Sequence, residues 1–156
     1  MSPDPFVSII IPTFNRGHML SATVDSFIDQ SYPADRYEII IADNNSKDNT
    51  THIIREYCIR HENIRTIFES RQGAHYARNH AARISKGDIL YYTDDDMIAD
   101  RNLLREIVKA FELDPQIGSA TGMIIGRFDA EPPKWVRKNL INGYLSLTDR
   151  RIEGNL

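Results

Sequence analysis

Short apolar runs alternate along this chain with segments that have a helical period. The four clearest runs are FVSIII at residues 6–11, EIIIA at 38–42, IRTIF at 64–68 and DILYYT at 88–93. Pro12 follows the first run, and aspartates follow the second and the fourth. Continuous apolar runs rich in β-branched residues are typical of strands in a parallel sheet that is covered on both faces.

Between these runs, apolar residues fall on one helical face within residues 20–28, 53–58, 74–84 and 103–111. Asp48 or Asn49 is a candidate N-cap for the second of these helices, and Asp100 is one for the fourth. Strand–helix alternation implies right-handed crossovers, so the pattern predicts an α/β protein with a doubly wound, mostly parallel sheet. A fifth strand is expected over residues 117–125, although glycines inside that segment weaken a strand.

The alternation of apolar runs and helical segments stops at residue 129. Pro132 and Pro133 interrupt the alternation, and residues 134–147 read as an amphipathic helix without a sheet partner. We therefore expect a core at residues 1–128 and a partial helical segment at residues 129–156.

Composition narrows the class of protein. The length of 156 residues suits one domain with a sizeable core, and the net charge of −3 does not suggest a nucleic-acid partner. Cys58 is the lone cysteine, so no intrachain disulfide can form. Proteins without disulfides are typical of reducing compartments. The start of the chain lacks a signal-peptide pattern, and no apolar run approaches the length of a membrane span. These features predict a cytoplasmic protein.

Polar and acidic residues follow three of the predicted strands. They are Pro12, Thr13 and Asn15 after the first strand, Asp43 and Asn45 after the second, and Asp94, Asp95 and Asp96 after the fourth. In an open α/β sheet, ligands bind beyond the carboxyl ends of the strands. The sequence therefore predicts one binding edge built by three separate strands.

The aspartate triplet is the sharpest of these signals. Under a strand period of two, Asp94 and Asp96 point to one side and Asp95 to the other. Three uncompensated carboxylates repel one another, and Mg²⁺ or Mn²⁺ binds one or two carboxylates together with substrate phosphates. We therefore expect Asp94 and Asp96 to hold a divalent cation; a solvated acidic turn that caps the next helix is the alternative. For Asp43, the alternatives are an Asx-turn and a carboxylate that binds a base or ribose.

The segment RQGAHYARNHAAR at residues 71–83 suggests an anion-facing helix. A helix that starts near Gly73 directs its free amide groups and positive end toward an anion. Arg78 lies on this helix and reaches either the ligand edge or solvent, whereas His75 and His80 are poorly spaced for a shared metal site. No G-x-G-x-x-G follows the first strand and no P-loop motif occurs, which argues against dinucleotide enzymes and P-loop ATPases.

Taken together, VSIIIPTFNR, EIIIADNNSKDNT, RQGAHYARNHA and GDILYYTDDD resemble the motifs of family 2 glycosyltransferases with the GT-A fold, in the family's order. The resemblance covers residues 6 to about 126 and implies a nucleotide-diphospho-sugar donor, such as a UDP- or GDP-sugar, and an inverting mechanism. It places Thr13 and Asn15 in the nucleotide pocket, Asp43 at the base or ribose, and Arg78 near the nucleotide. Pro12, Asn45 and Asp95 lie on the same predicted edge and are also expected to contact the nucleotide sugar. Asp94 and Asp96 resemble the D-x-D pair that engages Mn²⁺ or Mg²⁺ and the diphosphate.

Members of this family usually continue into a part that holds the acceptor and the catalytic base. No residue here matches that base, so the catalytic residue is unassigned and expected in an absent C-terminal part. The segment from residue 131 to 150 resembles the insertion before that part in bacterial transferases that build surface polysaccharides or lipid-linked saccharides. The acceptor is then a saccharide or lipid-linked saccharide, and the protein works in the cytoplasm, at the inner face of the membrane. Four apolar residues are candidates for docking on the absent part, on a membrane surface or on a second copy: Trp135, Leu140, Tyr144 and Leu147.

Two other classes of function remain open on the sequence. A non-catalytic fragment that binds a nucleotide sugar is one. A Mg²⁺-dependent nucleotidyltransferase or phosphohydrolase is the other, but a phosphohydrolase needs an aspartate after the first strand, where this chain has Pro12 and Thr13.

Overall fold

The computed structural model describes residues 5–114, 116–128 and 130–135. Strands and helices alternate as the apolar pattern predicts. They are β1 (Val7–Thr13), α1 (Gly17–Ile28), a 3₁₀ turn (Ala34–Arg36), β2 (Tyr37–Asp43), α2 (Thr50–Arg60), β3 (Ile64–Phe68), α3 (Ala74–Ile84), β4 (Ile89–Tyr92) and α4 (Leu103–Leu113).

The four strands form one sheet in the order β3-β2-β1-β4, and every neighbouring pair is parallel. From β1 the chain winds outward to β2 and β3, and it then crosses back to place β4 on the other side of β1. The direction of winding thus changes between β1 and β4. A crevice opens at such a point, beyond the carboxyl ends of the strands.

Both faces of the sheet are covered, which explains the continuous apolar runs. Ile9 and Ile39 belong to a core shared with α1, α2 and α4. Their strand neighbours Ile10 and Ile40 point to the other face and pack with α3, where the small side chain of Ala77 lets the helix lie close. All residues of β1 and β2 are buried, whereas the edge strands β3 and β4 are buried only in part. The predicted doubly wound α/β class is confirmed.

The first strand is longer than predicted, because it continues through Pro12 to Thr13. Pro12 pairs with Ala42 of β2, while the pairing of β1 with β4 ends at Ile10. The missing N–H of the proline therefore lies beyond the second ladder, where no partner strand needs it.

The predicted fifth strand is wrong: residues 117–125 form no strand. The glycines at 118 and 122 have no side chain to pack against a neighbouring strand, and ordering their backbone costs more conformational entropy than for other residues. The chain divides into two compact units, up to Ile117 and from Gly118 on. Lys134 and Trp135 are helical, and the rest of the predicted amphipathic helix lies outside the described residues. No helix in the described part of the chain is long and apolar enough to cross a membrane.

A buried carboxylate joins the strands at the amino-terminal side of the sheet. Glu38 of β2 accepts hydrogen bonds from Ser8 Oγ at 2.7 Å and from the Lys86 amide at 2.8 Å. Arg65 of β3 forms an ion pair with it, with 2.6 Å between Nη2 and Oε2. Gly87 completes the cluster through a 2.8 Å bond from its amide to Ser8 Oγ. A buried charge is tolerated only when its oxygens are paired in this way.

We expect Gly87→Ala to lower the free energy of unfolding by about 1–3 kcal/mol, the usual range for overpacking a tight site. An added Cβ would lie 2.5 Å from the backbone N of Ser8 and 2.6 Å from the backbone O of Ile89. The measurement is urea unfolding followed by circular dichroism. Gly118→Ala is the control, because no atom lies within 4 Å of its added Cβ. Equal stability of the two variants would contradict the close approach at Gly87.

Candidate functional site

The carboxyl ends of β1, β2 and β4 bring the predicted site residues to one edge of the sheet. Thr13 and Asp43 are register partners at the ends of β1 and β2. Residues 94–96 follow β4, where the amide of Thr93 still bonds to the carbonyl of Ile10 at 3.2 Å. The three groups therefore meet at the crevice where the winding of the sheet changes direction.

Asp95 is an internal anchor of this edge. Its side chain is 7% exposed, and its Oδ2 accepts a 2.7 Å hydrogen bond from Thr13 Oγ1. Its backbone oxygen accepts a 2.9 Å bond from Thr23 Oγ1 of α1. The acidic loop after β4 is thus fastened to β1 and to α1 through one residue. The predicted contact of Asp95 with a nucleotide sugar stays a prediction.

Asp94 and Asp96 are open to solvent, with side chains 59% and 37% exposed. The middle carboxylate is therefore buried and the outer two are exposed. That Asp94 and Asp96 point to one side stays a prediction. Each outer carboxylate is paired with an arginine: Asp94 with Arg78, and Asp96 with Arg16 at 3.0 Å between Oδ2 and Nη1. The expectation that the three aspartates are uncompensated is wrong, because two arginines from other elements offset two of the three negative charges.

The oxygen donors of Asp94 and Asp96 suit a hard divalent cation. Among the described residues, no three His, Cys, Asp or Glu side chains are grouped so that they could hold a metal ion. The chain thus offers two accessible carboxylates and no complete protein cage. Mg²⁺ is typically held by one or two carboxylates, with water and substrate phosphates as its other ligands. The donor set fits that arrangement.

The loop after β2 is folded by contacts with the loop after β1. Asp43 Oδ1 accepts a 2.9 Å bond from the Ser46 amide, and its Oδ2 accepts a 2.8 Å bond from Thr51 Oγ1. The backbone amide of Asn15 donates a 3.0 Å hydrogen bond to Ser46 Oγ, and the side-chain Oδ1 of Asn15 accepts a 2.6 Å bond from the Lys47 amide. Asp43 therefore fixes the following loop through a side-chain bond to the amide three residues on, which is close to the Asx-turn that was one of its two interpretations. Its contact with a base or ribose stays a prediction.

Asn15 and Asn45 have left-handed backbone, with φ of 53° and 69°. Asparagine tolerates this region better than most residues, which accounts for its presence in both loops. The side chain of Asn45 accepts a 2.6 Å hydrogen bond from Lys47 Nζ. Both asparagines thus shape the loops at the crevice, whatever ligand they contact.

Asn44 is the organising residue that the sequence pattern did not reveal. Its Nδ2 donates to the backbone oxygens of Glu69, at 3.0 Å, and Arg71, at 2.6 Å, and its Oδ1 accepts the Gly73 amide at 2.7 Å. Gln72 Nε2 donates to its backbone oxygen at 2.7 Å. The side chain is buried. Asn44 therefore connects the loop before α3 to the end of β2. The sequence feature that could have indicated this role is its position directly after Asp43, at the end of a strand.

Arg78 extends from α3 to the acidic loop. Its neighbour Ala77 packs on the sheet, and the guanidinium of Arg78 pairs with Asp94. The side chain of Arg78 therefore reaches the edge of the sheet that carries Asp94 and does not extend only into solvent. The Nε atom of Arg78 is buried and has no hydrogen-bond partner in the described part of the chain.

Glu69 is the centre of a charged cluster beside α3. Arg71 donates its amide at 2.9 Å and its Nε at 3.0 Å to Glu69 Oε1, and His80 Nδ1 lies 3.2 Å from Oε2. The hydrogen bonds from Arg71 lower the pKa of Glu69 to about 2. The guanidinium of Arg71 also lies over the Tyr76 ring, 4.6 Å from its centroid, and His75 packs against the same ring. The two histidines thus make contacts within the chain.

With this geometry in place, the chain can be assigned to a family. The family model for glycosyl transferase family 2 matches residues 8–155. The chain belongs to this family.

Relatives and solved structures are similar to part of this chain. Glycosyltransferase AglE of Haloferax volcanii is 36% identical over 93 residues, which are 59% of this chain and 31% of that protein. The poly(ribitol-phosphate) beta-glucosyltransferase of Bacillus spizizenii is 36% identical over 104 residues, 64% of this chain and 16% of that protein. The mannosyltransferase PcManGT of Pyrobaculum calidifontis, in complex with GDP-Man and Mn²⁺, superposes with a TM-score of 0.69 at 30% identity.

The structure of TarS from S. aureus in complex with UDP superposes with a TM-score of 0.64 at 22% identity, a likeness of fold. These structures support the GT-A assignment of the sheet. The chain covers 35% of PcManGT and 32% of the TarS chain, and they cover 75% and 69% of this chain. It therefore spans about a third or less of the length of these relatives.

We expect Asp95→Ala to lower the free energy of unfolding by about 2–3 kcal/mol, since buried hydrogen bonds to a charged group are lost. Asp96→Ala is the matched comparison and should cost less than about 1 kcal/mol, as is usual for an exposed ion pair. Urea unfolding of both variants measures the difference. A larger loss for Asp96→Ala than for Asp95→Ala would contradict the anchoring role of Asp95.

The lowered pKa of Glu69 makes stability depend on pH. An ordinary glutamate has a pKa of about 4.3, so the charged form stabilises the fold above that pH. The contribution is lost as the pH falls through about 2, the pKa in the folded protein. The urea midpoint of the wild type should therefore exceed that of Glu69→Gln at pH 7, and the gap should narrow between about pH 4.3 and 2. Glu112→Gln, at an exposed site on α4, controls for the loss of one charge. A gap independent of pH would contradict the assignment.

Proposed function

We propose that this chain is the donor-binding part of a glycosyltransferase that takes a sugar from a nucleotide-diphospho-sugar with the help of Mn²⁺ or Mg²⁺. The observation that carries the proposal is the pair of exposed carboxylates, Asp94 and Asp96, at the switch between β1 and β4. Membership in glycosyl transferase family 2 supports it. So does the likeness, at 30% identity, to a mannosyltransferase that was solved with GDP-Man and Mn²⁺.

The residues divide into two groups under this proposal. The wall that receives the nucleoside is formed by the ends of β1 and β2 and the loops that follow them, with Thr13, Asn15, Asp43 and Asn45. Asp94 and Asp96 hold the cation, and Arg78 lies beside Asp94, where it can reach the diphosphate. Asp95 keeps the loop in place through Thr13.

Charge balance supports a diphosphate ligand. Three aspartates and the two arginines paired with them sum to about −1 at neutral pH. A bound divalent cation, as a Lewis acid, would stabilise the negative charge that develops on the leaving diphosphate. The cation changes the local charge to about +1, which attracts a diphosphate that the metal-free edge would repel.

We assign transfer to a saccharide or lipid-linked acceptor, with inversion at the anomeric carbon and a role in surface polysaccharide or glycolipid synthesis. The bacterial relative named as a poly(ribitol-phosphate) beta-glucosyltransferase supports a role in the synthesis of a polymer. No described residue is assigned as the base that deprotonates the acceptor. Two downstream aspartates, Asp129 and Asp149, lie outside the described residues.

The hydroxyl of Thr13 argues against a phosphohydrolase. Thr13 is the last residue of the first strand, near the position where an aspartate nucleophile would be needed, and its hydroxyl donates a hydrogen bond to Asp95. No observation favours a nucleotidyltransferase. A module that binds a nucleotide sugar without turnover shares the same donor site and is separated from the enzyme only by an assay with an acceptor.

The first test is calorimetric titration of UDP, GDP and their sugars, with and without Mn²⁺. We expect clear binding only with the cation. Asp94→Asn and Asp96→Asn should each weaken it at least about tenfold, since even outer-shell partners of a metal are typically worth ten- to hundredfold in affinity. The nucleotide that binds names the base.

Glu112→Gln serves as the control, because it removes one acidic charge from an exposed position on α4. Its affinity should equal that of the wild type. Binding that survives in both aspartate variants would remove the metal role. The absence of binding by any nucleotide to the folded chain would overturn the donor site.

A further inference from the structure

Arg16 joins two aspartates of the acidic loop through a single nitrogen. Its Nη1 lies 3.1 Å from Asp95 Oδ1 and 3.0 Å from Asp96 Oδ2. Its backbone is held in place, because its carbonyl oxygen accepts the amides of Met19 and Leu20 at the start of α1. The side chain is 47% exposed, so water and ligands reach it.

The two contacts of Arg16 differ in environment. Asp95 is buried and also holds Thr13, so this contact is part of the folded framework. Asp96 is 37% exposed, and among the described residues Arg16 is its one hydrogen-bonding or ionic partner. An exposed ion pair contributes little stability, so it exchanges readily for a stronger ligand. The contact with Asp96 is therefore the one that can open.

We propose that Arg16 occupies the place of the divalent cation at Asp96 in the metal-free protein, and that cation binding releases its guanidinium toward the donor diphosphate. This rests on the proposed function. Nε and Nη2 of Arg16 make no hydrogen bond within the described part of the chain, so their donors are available to phosphate oxygens. The planar guanidinium suits paired oxygens of this kind. Arg16 is then a positioning residue without the cation and a binding residue with it.

The proposal requires effects of opposite sign. A positive charge beside Asp96 opposes a cation that binds alone, so removal of Arg16 should strengthen metal binding. The same charge attracts a diphosphate once the cation is in place, so its removal should weaken nucleotide binding. A purely structural role for Arg16 would weaken both, because the loop that carries Asp94 and Asp96 would be disturbed.

The experiment titrates Mn²⁺ alone, followed by the electron paramagnetic resonance of free Mn²⁺, and then GDP or UDP at saturating Mn²⁺. For R16Q we expect the Kd for Mn²⁺ to fall about fivefold or more, from the loss of a nearby like charge. The Kd for the nucleotide should rise about tenfold, from the loss of charge-assisted hydrogen bonds. R55Q is the matched control, since Arg55 is an exposed arginine of α2 and its loss changes the net charge equally.

A second measurement does not depend on whether R16Q folds. In the unaltered protein, the guanidinium signals of Arg16 in nitrogen-15 NMR should shift when Mg²⁺ is added without nucleotide. R16K identifies those signals. In D96N the metal-induced shift should be lost, because the exchange passes through that carboxylate. Arg16 signals that do not respond to Mg²⁺ in the unaltered protein would overturn the proposal.

The outcomes separate this inference from the function on which it rests. A wild type that binds nucleotide with Mn²⁺ through Asp94 and Asp96, while R16Q binds Mn²⁺ as R55Q does, overturns only the role of Arg16. A folded wild type that binds no nucleotide under any condition overturns the proposed function as well. Opposite changes in the two Kd values of R16Q support both.

Discussion

The hydrogen bond from Thr13 to the buried carboxylate of Asp95 is the contact on which the rest of the site depends. It joins the end of the central strand to the loop after β4, and it acts together with the bond from Thr23 to the Asp95 backbone. Because Asp95 is held inside, its neighbours on both sides are turned outward to solvent. One buried acid thus sets the direction of the two exposed acids, and the geometry of the proposed cation site follows from that arrangement.

Charge is balanced around this anchor by arginines from two different helical regions. Arg16 precedes α1, and Arg78 lies on α3. Helices α1 and α3 cover opposite faces of the sheet. The acidic loop is therefore held from both layers of the fold. Each of the two exposed carboxylates of this loop is thus paired with an arginine from a different layer.

Much of this arrangement follows from the sequence by simple rules. Apolar runs such as residues 38–42 predict buried parallel strands, and the carboxyl-end rule then places Asp43 and residues 94–96 on one edge. What could not be predicted are contacts between distant positions. The pairing of Arg16 with Asp96 spans 80 residues, and nothing in the local pattern of either segment indicates it. Asn44 was missed for a similar reason, since a buried asparagine reads like any turn residue until its partners are known.

The same long separation has a consequence for how the molecule is made. Thr13 and Asp95 are 82 residues apart, so the site cannot form during synthesis until the chain beyond β4 has left the ribosome. Closing so long a loop costs conformational entropy before its contacts offset it, and parallel pairing between distant strands is slow. Strands β1, β2 and β3 can associate earlier, because they are close neighbours in sequence. We therefore expect the crevice between β1 and β4 to form last in the sheet, and β1 to keep one unpaired edge until β4 is added.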